Sequence, residues 1–138
     1  MKLSPTMEDY LETVFLLSQE GAGARLSDIA DKVGVTKASA NRAVATLSSL
    51  RLVQKEHYKE IHLTPEGLAY ANRIVHKHEV IKQFFMNVLL VDADIAEQDA
   101  CMIEHVISSD SVRAMQQFVT NTPASNAPRS IRTNPNAD

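Results

Sequence analysis

The sequence predicts a mainly α-helical chain: a block of short helices with one small hairpin, then a longer helical segment. Three observations carry that expectation. Apolar residues recur at helical spacing in several separate stretches between Met7 and Phe118. Two short segments, Leu52-Val53 and Ile61-His62-Leu63, are β-prone, and the polar stretch Gln54 to Glu60 lies between them. Glycines, prolines and hydroxyl residues punctuate the ends of the helical stretches.

In chain order, Met7 to Leu17 reads as a first helix, with Tyr10, Leu11, Val14 and Phe15 on its apolar face. Thr6 is its expected cap, and Gly21 and Gly23 follow its end. Leu26 to Val33 is a second, short helix opened by Ser27 and Asp28 and broken by Gly34. Thr36 caps a third helix to about Leu50, with Ala40, Val44 and Leu47 on one face. The β-prone pair then forms a two-stranded hairpin. Thr64-Pro65-Glu66 restarts the helix with a cap, a first-turn proline and an acid near the positive end, and this helix is expected to reach about Leu89. Asp94 opens a helix through Cys101 to Ile107, and Ser109 opens the last, through Phe118. From Asn121 to Asp138 the chain holds Pro123, Pro128 and Pro135 among Asn, Ser and Ala, the composition of a disordered tail.

The 138 residues are 44% hydrophobic and 22% charged, ordinary for a soluble domain with a helical extension. No apolar run is long enough to span a bilayer, and the N-terminus lacks the apolar core of a secretory signal. The single cysteine, Cys101, builds no intrachain disulfide. A cytoplasmic protein without membrane association is therefore expected. Net charge is −3, but its distribution is uneven. Lys32 to His62 carries six basic residues against two acidic ones, whereas His76 to Thr120 carries three against seven. A basic stretch followed by an acidic one suggests a polyanion site and a cation site.

Two short helices joined through Gly34, the second amphipathic and followed by a small hairpin, form the pattern of a winged helix-turn-helix. In such motifs the second helix enters the major groove and its first turns face the bases. That surface offers Thr36, Lys37, Ala38, Ser39, Asn41, Arg42 and Thr46. Arg42 suits bidentate pairing with guanine, and Asn41 suits adenine or a phosphate. Thr36, Lys37 and Ser39 suit phosphate contacts, which set register without reading sequence. Lys55, Tyr58 and Lys59 on the hairpin are placed to reach backbone or minor groove. Taken singly, these residues read equally as a solvated helix face; their order in one motif favours DNA.

The acidic half carries a second constellation. Cys101, Glu104 and His105 stand at i, i+3 and i+4, on one face of a helix. Thiolate, carboxylate and imidazole on one stripe make a transition-metal half-site. Asp9 and Glu12 share a face of the first helix, and His78 lies on the long helix. Alone, each has a plain structural reading: Cys101 as core, Asp9 and Glu12 as a solvated face, His78 as a structural histidine. The Cys-x-x-Glu-His run shifts the balance toward metal.

These residues resemble the diphtheria toxin repressor family, which includes iron-dependent repressors and manganese transport regulators. The resemblance covers roughly Met1 to Thr120 and rests on five blocks: Met7 to Glu12, Leu26 to Leu50, Leu63 to Gly67, His76 to Glu79 and Cys101 to His105. It implies metal ligands at Asp9, Glu12, His78, Cys101, Glu104 and His105. Asp9 and Glu12 match the manganese branch, Cys101 matches the iron branch, and His78, Glu104 and His105 match positions common to both. The chain departs from the iron branch at two ancillary positions, with Lys82 in place of an acid and Glu97 in place of a histidine. The resemblance is to the short, two-domain form rather than to the longer members with an additional C-terminal domain.

The resemblance thus implies a winged helix-turn-helix DNA-binding domain over residues 1–63, a helical metal-binding and dimerisation domain over 64–120, and the tail over 121–138. The implied function is a repressor of metal-homeostasis genes. Its expected corepressor is Fe²⁺ or Mn²⁺, with Fe²⁺ slightly ahead because of Cys101; Co²⁺, Ni²⁺ and Zn²⁺ also suit such donors in vitro. Its expected partners are double-stranded operator DNA and a second copy of itself. The homodimer has separate support, because Ile81, Phe84, Phe85, Val88, Leu89, Leu90, Val112, Met115 and Phe118 exceed what one small helical layer need bury. Three other readings stand beside this one. The first is a metal-independent winged-helix regulator sensing redox state or a small molecule through Cys101. The second is a metalloenzyme, disfavoured because no phosphate loop, nucleophile motif or dedicated base is present. The third is a protein-interaction module. The expectation is a regulator, not an enzyme.

Overall fold

The computed structural model describes residues 2–19, 23–56 and 60–121. Within them run α1 (Pro5–Leu17), β1 (Ala24–Arg25), α2 (Leu26–Val33), α3 (Lys37–Ser49), β2 (Val53–Glu56), β3 (Glu60–Leu63), α4 (Pro65–Asn87), α5 (Ala93–Ile103) and α6 (Ser109–Asn121). The mainly helical class is as the sequence predicts. The chain divides into two compact units, the first from Met1 to Ile74 and the second beginning at Val75. Tyr58 and Lys59 of the expected wing and residues 122–138 of the expected tail lie outside the described residues; Asn121 ends α6.

In the first unit, α1 begins earlier than its periodicity suggests. Ser4, not Thr6, is the cap: its hydroxyl accepts the Met7 N–H at 3.2 Å. Pro5 at the first helical position explains the shift, since its fixed φ suits that place and its missing N–H would have no partner there. α2 follows β1 directly and has no side-chain cap; Ser27 and Asp28 lie inside its first turn. Gly34 closes it in the left-handed region, φ 86°, with its N–H on the Ala30 carbonyl at 2.8 Å. Thr36 caps α3 as expected, accepting the Ser39 N–H at 3.1 Å.

β2 and β3 pair antiparallel, with Val53 opposite Leu63 and Lys55 opposite Ile61. A third strand joins them: β1 pairs on the far edge of β3, Ala24 opposite Ile61. Ile61 therefore sits on the central strand and is fully buried. The core around it draws Leu11 and Val14 from α1, Ile29 from α2, Val44 and Leu47 from α3, and Leu52 from the entry to the hairpin. Helices supply one apolar stripe each and the sheet supplies one face, a common way to close a small core. Thr64 fixes the exit: its hydroxyl donates to the Arg51 carbonyl at 2.7 Å and accepts the Gly67 N–H at 3.0 Å.

In the second unit, Ile81, Ala96, Ala100 and Val112 are buried, and Phe84 meets the Phe118 ring edge-on at 5.9 Å between centroids. Part of the apolar surplus is thus used within one chain, while Leu89 and Phe118 remain about half exposed. The sequence suggests a helix to Ile107; α5 stops at Ile103. The Ile103 carbonyl accepts both the Val106 and the Ile107 N–H at 2.9 Å, tightening the last turn. Ser108 then caps α6 by accepting the Ser111 N–H at 3.1 Å, which draws the chain out of α5.

Candidate metal centre and nucleic-acid interface

α3 is split cleanly by burial. Ala40, Ala43, Val44 and Leu47 face the core, while Lys37, Ala38, Asn41, Arg42 and Thr46 are exposed and Ser39 is half-buried. The first turns are ordered by their own side chains. Thr36 and Ser39 hydroxyls lie 3.1 Å apart, and the Arg42 guanidinium donates to the Ser39 hydroxyl at 3.2 Å. Arg42 is thereby held along the exposed face rather than free to sweep it. Thr46 turns its hydroxyl back to the Arg42 carbonyl at 3.1 Å, so its methyl is the part left to solvent. Lys55 is exposed on β2. With no acidic residue in its first turn, α3 presents a positive N-terminal end.

In the second unit, two helices form a polar seam. His78 and Lys82 stand one turn apart on α4; Glu97 and Cys101 stand one turn apart on α5. His78 links both ends of this seam. Its Nδ1 lies 2.8 Å from Glu104 Oε1, and its Nε2 lies 3.0 Å from Glu97 Oε1. The Cys101 thiol donates to Glu97 Oε2 at 3.6 Å, and Lys82 Nζ lies 3.0 Å from Glu97 Oε1. Donor atoms of His78, Glu97 and Cys101 all fall within 4.8 Å of one another. The Glu104 side chain is fully buried, and its Oε2 lies 3.2 Å from His105 Nε2.

The electrostatics of this seam call for positive charge. A neutral imidazole donates one hydrogen bond, yet His78 faces a carboxylate oxygen through each nitrogen. A buried carboxylate such as Glu104 is costly unless paired or coordinated. Lys82 answers part of this demand: its ammonium, then His78, holds the Glu97 carboxyl below its ordinary range, and Glu97 in turn raises Lys82. Thiolate, imidazole and carboxylate together suit a first-row divalent metal, so the residues present fit such an ion.

The structure thus brings His78 and Cys101 together and places Glu104 and His105 against one another, with His78 between Glu97 and Glu104. Asp9, exposed, and Glu12, half-buried, lie three residues apart on α1 in the first unit. Glu97 was visible in the sequence only as a departure from the iron branch. The signal that finds it is spacing: Glu97, Cys101 and Glu104 stand at i, i+4 and i+7, one helical stripe. Lys77 supports the turn after α5, donating to the Ile107 carbonyl at 3.3 Å.

Comparison with known proteins bears on both surfaces. Residues 2–61 match the family described as iron dependent repressor, N-terminal DNA binding domain. Residues 64–127 match iron dependent repressor, metal binding and dimerisation domain. The chain is 35% identical over 116 residues to the HTH-type transcriptional regulator MntR of Bacillus pumilus, covering 84% of this chain and 80% of that one. The regulator of the same name from Shouchella clausii is 36% identical over the same length. Among solved structures, the manganese regulator SloR matches with a TM-score of 0.73 at 29% identity, covering 87% of this chain and 56% of that one. IdeR of T. acidophilum matches with a TM-score of 0.73 at 25% identity, covering 82% and 53%. The chain therefore spans a little over half the length of these solved neighbours.

Proposed function

The chain belongs to the iron-dependent repressor family, and we propose that it is a metal-activated transcriptional repressor of metal-homeostasis genes, binding operator DNA as a homodimer. The observation that carries this is the seam in which His78 faces Glu97 and Glu104, with Cys101 beside Glu97. The relatives are transcriptional regulators, and this reading assigns no catalytic step. Among the described residues no helix is long and apolar enough to cross a membrane; action in the cytoplasm is part of the proposal.

The ligands we propose are His78, Cys101, Glu104 and His105 from the second unit, with Asp9 and Glu12 from the first. The corepressor is Fe²⁺ or Mn²⁺, by analogy with the manganese regulators among the relatives and from the donor set. A bound divalent ion supplies the positive charge that lets these acidic groups lie together. The residues do the rest. Glu104 orients His78, because an imidazole that donates Nδ1–H keeps its Nε2 lone pair for other work. Arg42, braced by Ser39, reads bases, and Thr36, Lys37 and Lys55 hold the backbone. Metal occupancy favours the DNA-competent state, and in a dimer the two α3 helices must reach half-sites about one helical turn or a multiple apart.

The test uses metal-free full-length protein and a labelled fragment of its own promoter. Fluorescence anisotropy is followed as Mn²⁺, anaerobic Fe²⁺ or Zn²⁺ is added. Tightening by Mn²⁺ or Fe²⁺, reversed by chelator, is expected. Equal binding with and without metal overturns the reading in favour of a metal-independent regulator.

A further inference from the structure

Glu97 Oε1 serves two positive partners at once, standing 3.0 Å from His78 Nε2 and 3.0 Å from Lys82 Nζ. An ion held by His78, Glu97 and Cys101 needs lone pairs that these contacts occupy. The Lys82 ammonium has three donors and no acceptor, so it never joins such an ion as a ligand. It is tethered one turn from His78 on the same helix, and it therefore returns to Glu97 whenever the carboxylate is vacated. Ammonium and divalent cation are alternatives at one carboxylate.

We propose that Lys82 is an internal competitor for the metal, setting the free-metal concentration at which the His78, Glu97 and Cys101 group fills. This rests on the metal-sensor reading above, adds Glu97 to its proposed ligands because its donor atom lies within 4.8 Å of those of His78 and Cys101, and adds a specificity-determining residue, Lys82, that is not itself a ligand. Functionally, the threshold keeps the group from filling at trace metal. The pair is partly solvated, with side chains 27% and 46% exposed, so the ammonium can withdraw into water when an ion arrives. The competition is accordingly modest: removing the ammonium shifts half-saturation by roughly fivefold, the scale of an exposed ion pair.

The test titrates full-length protein with Co²⁺ alone and reads the thiolate-to-cobalt charge-transfer absorption, which reports Cys101 directly. Lys82→Gln is expected to reach half-saturation at roughly fivefold lower free Co²⁺ than the wild type. Lys82→Arg, which keeps the cation, stays near the wild type. Arg113→Gln removes the same charge from α6, where Arg113 pairs with Asp110, and leaves the titration unchanged. A cobalt–thiolate band that appears only in Lys82→Gln supports the proposal in its strongest form. An unshifted band in Lys82→Gln overturns the proposal and leaves the metal-sensor reading standing. Equal shifts in Lys82→Gln and either control overturn it too, showing general charge or packing instead. Absence of the band in every variant removes Cys101 from the site and overturns this inference; DNA binding that is also indifferent to metal would remove the metal reading with it.

Discussion

Tyr70 shows how a single side chain secures the first unit beside a proposed ligand. Its hydroxyl donates to Glu8 Oε2 at 2.6 Å and accepts the Leu3 N–H at 2.9 Å. Glu8 is only 4% exposed, with Lys2 Nζ 3.7 Å from the same oxygen. Tyr70→Phe removes a donor from a buried carboxylate and is expected to cost about 1–3 kcal/mol in urea unfolding. A loss below roughly 0.5 kcal/mol would show that Glu8 finds another donor. Burial first, and then the bond to Glu8, raises the Tyr70 pKa above the ordinary 10.0. The folded value exceeds the unfolded one, so this stabilisation is complete below pH 10 and is lost as pH rises through the folded value. The stability gap between wild type and Tyr70→Phe should thus hold constant up to about pH 10 and narrow above it. On the exposed side of α3, Arg42→Ala is expected to relax base choice at one operator step by about 1–3 kcal/mol. Competition among single-base operator variants decides this, since uniform weakening across all of them would make Arg42 a phosphate contact.

At the scale of the element, α4 has the most demanding start. A Cβ on Gly67 would lie 1.9 Å from the Leu52 carbonyl oxygen, a backbone atom that no rotamer change moves. Gly67→Ala is expected to cost about 1–3 kcal/mol by overpacking, although alanine favours helices elsewhere. Thermal unfolding of the variant checks this, and an unchanged or raised Tm would mean that the loop before β2 yields freely. The same element shows what was legible in advance. Thr64 and Pro65 announce a helix start because cap chemistry is local, and Thr36 and Gly34 were readable for the same reason. β1 was not legible: a two-residue strand has no period of its own and exists because β3 offers an edge at Ile61. The end of α5 was misjudged because Val106 and Ile107 extend an apolar pattern, while the Ser108 cap decides the backbone. Lys82 and Glu97 were visible as residues, but their shared oxygen is a product of packing between α4 and α5 that spacing along one helix does not contain.

At the scale of the whole molecule, the uneven charge is the feature most closely tied to regulation. The basic stretch from Lys32 to His62 holds the exposed face of α3, and the acidic stretch from His76 to Thr120 holds the seam around His78, so a polyanion surface and a cation site share one chain. Linkage makes them reciprocal: the factor by which saturating metal tightens DNA binding equals the factor by which saturating DNA tightens metal binding. Tight metal binding alone shifts nothing; the ion must prefer the DNA-competent arrangement. Glu104 is the residue through which to test this, because it is fully buried and lies against both His78 and His105. Glu104→Gln keeps the size and one acceptor but removes the charge. It is expected to weaken metal half-saturation by about ten- to hundredfold. Metal-free DNA affinity should remain as in the wild type, since α3 and its Thr36 cap are untouched. DNA titrations with and without saturating metal, and metal titrations of the protein with and without saturating DNA, then give two coupling factors that must agree. Full metal stimulation in Glu104→Gln at wild-type metal concentrations would remove Glu104 from the site. Weakened metal binding with loss of metal-free DNA binding would instead show that Glu104 holds up the fold, because only a ligand or its support alters the coupling while sparing the uncoupled state.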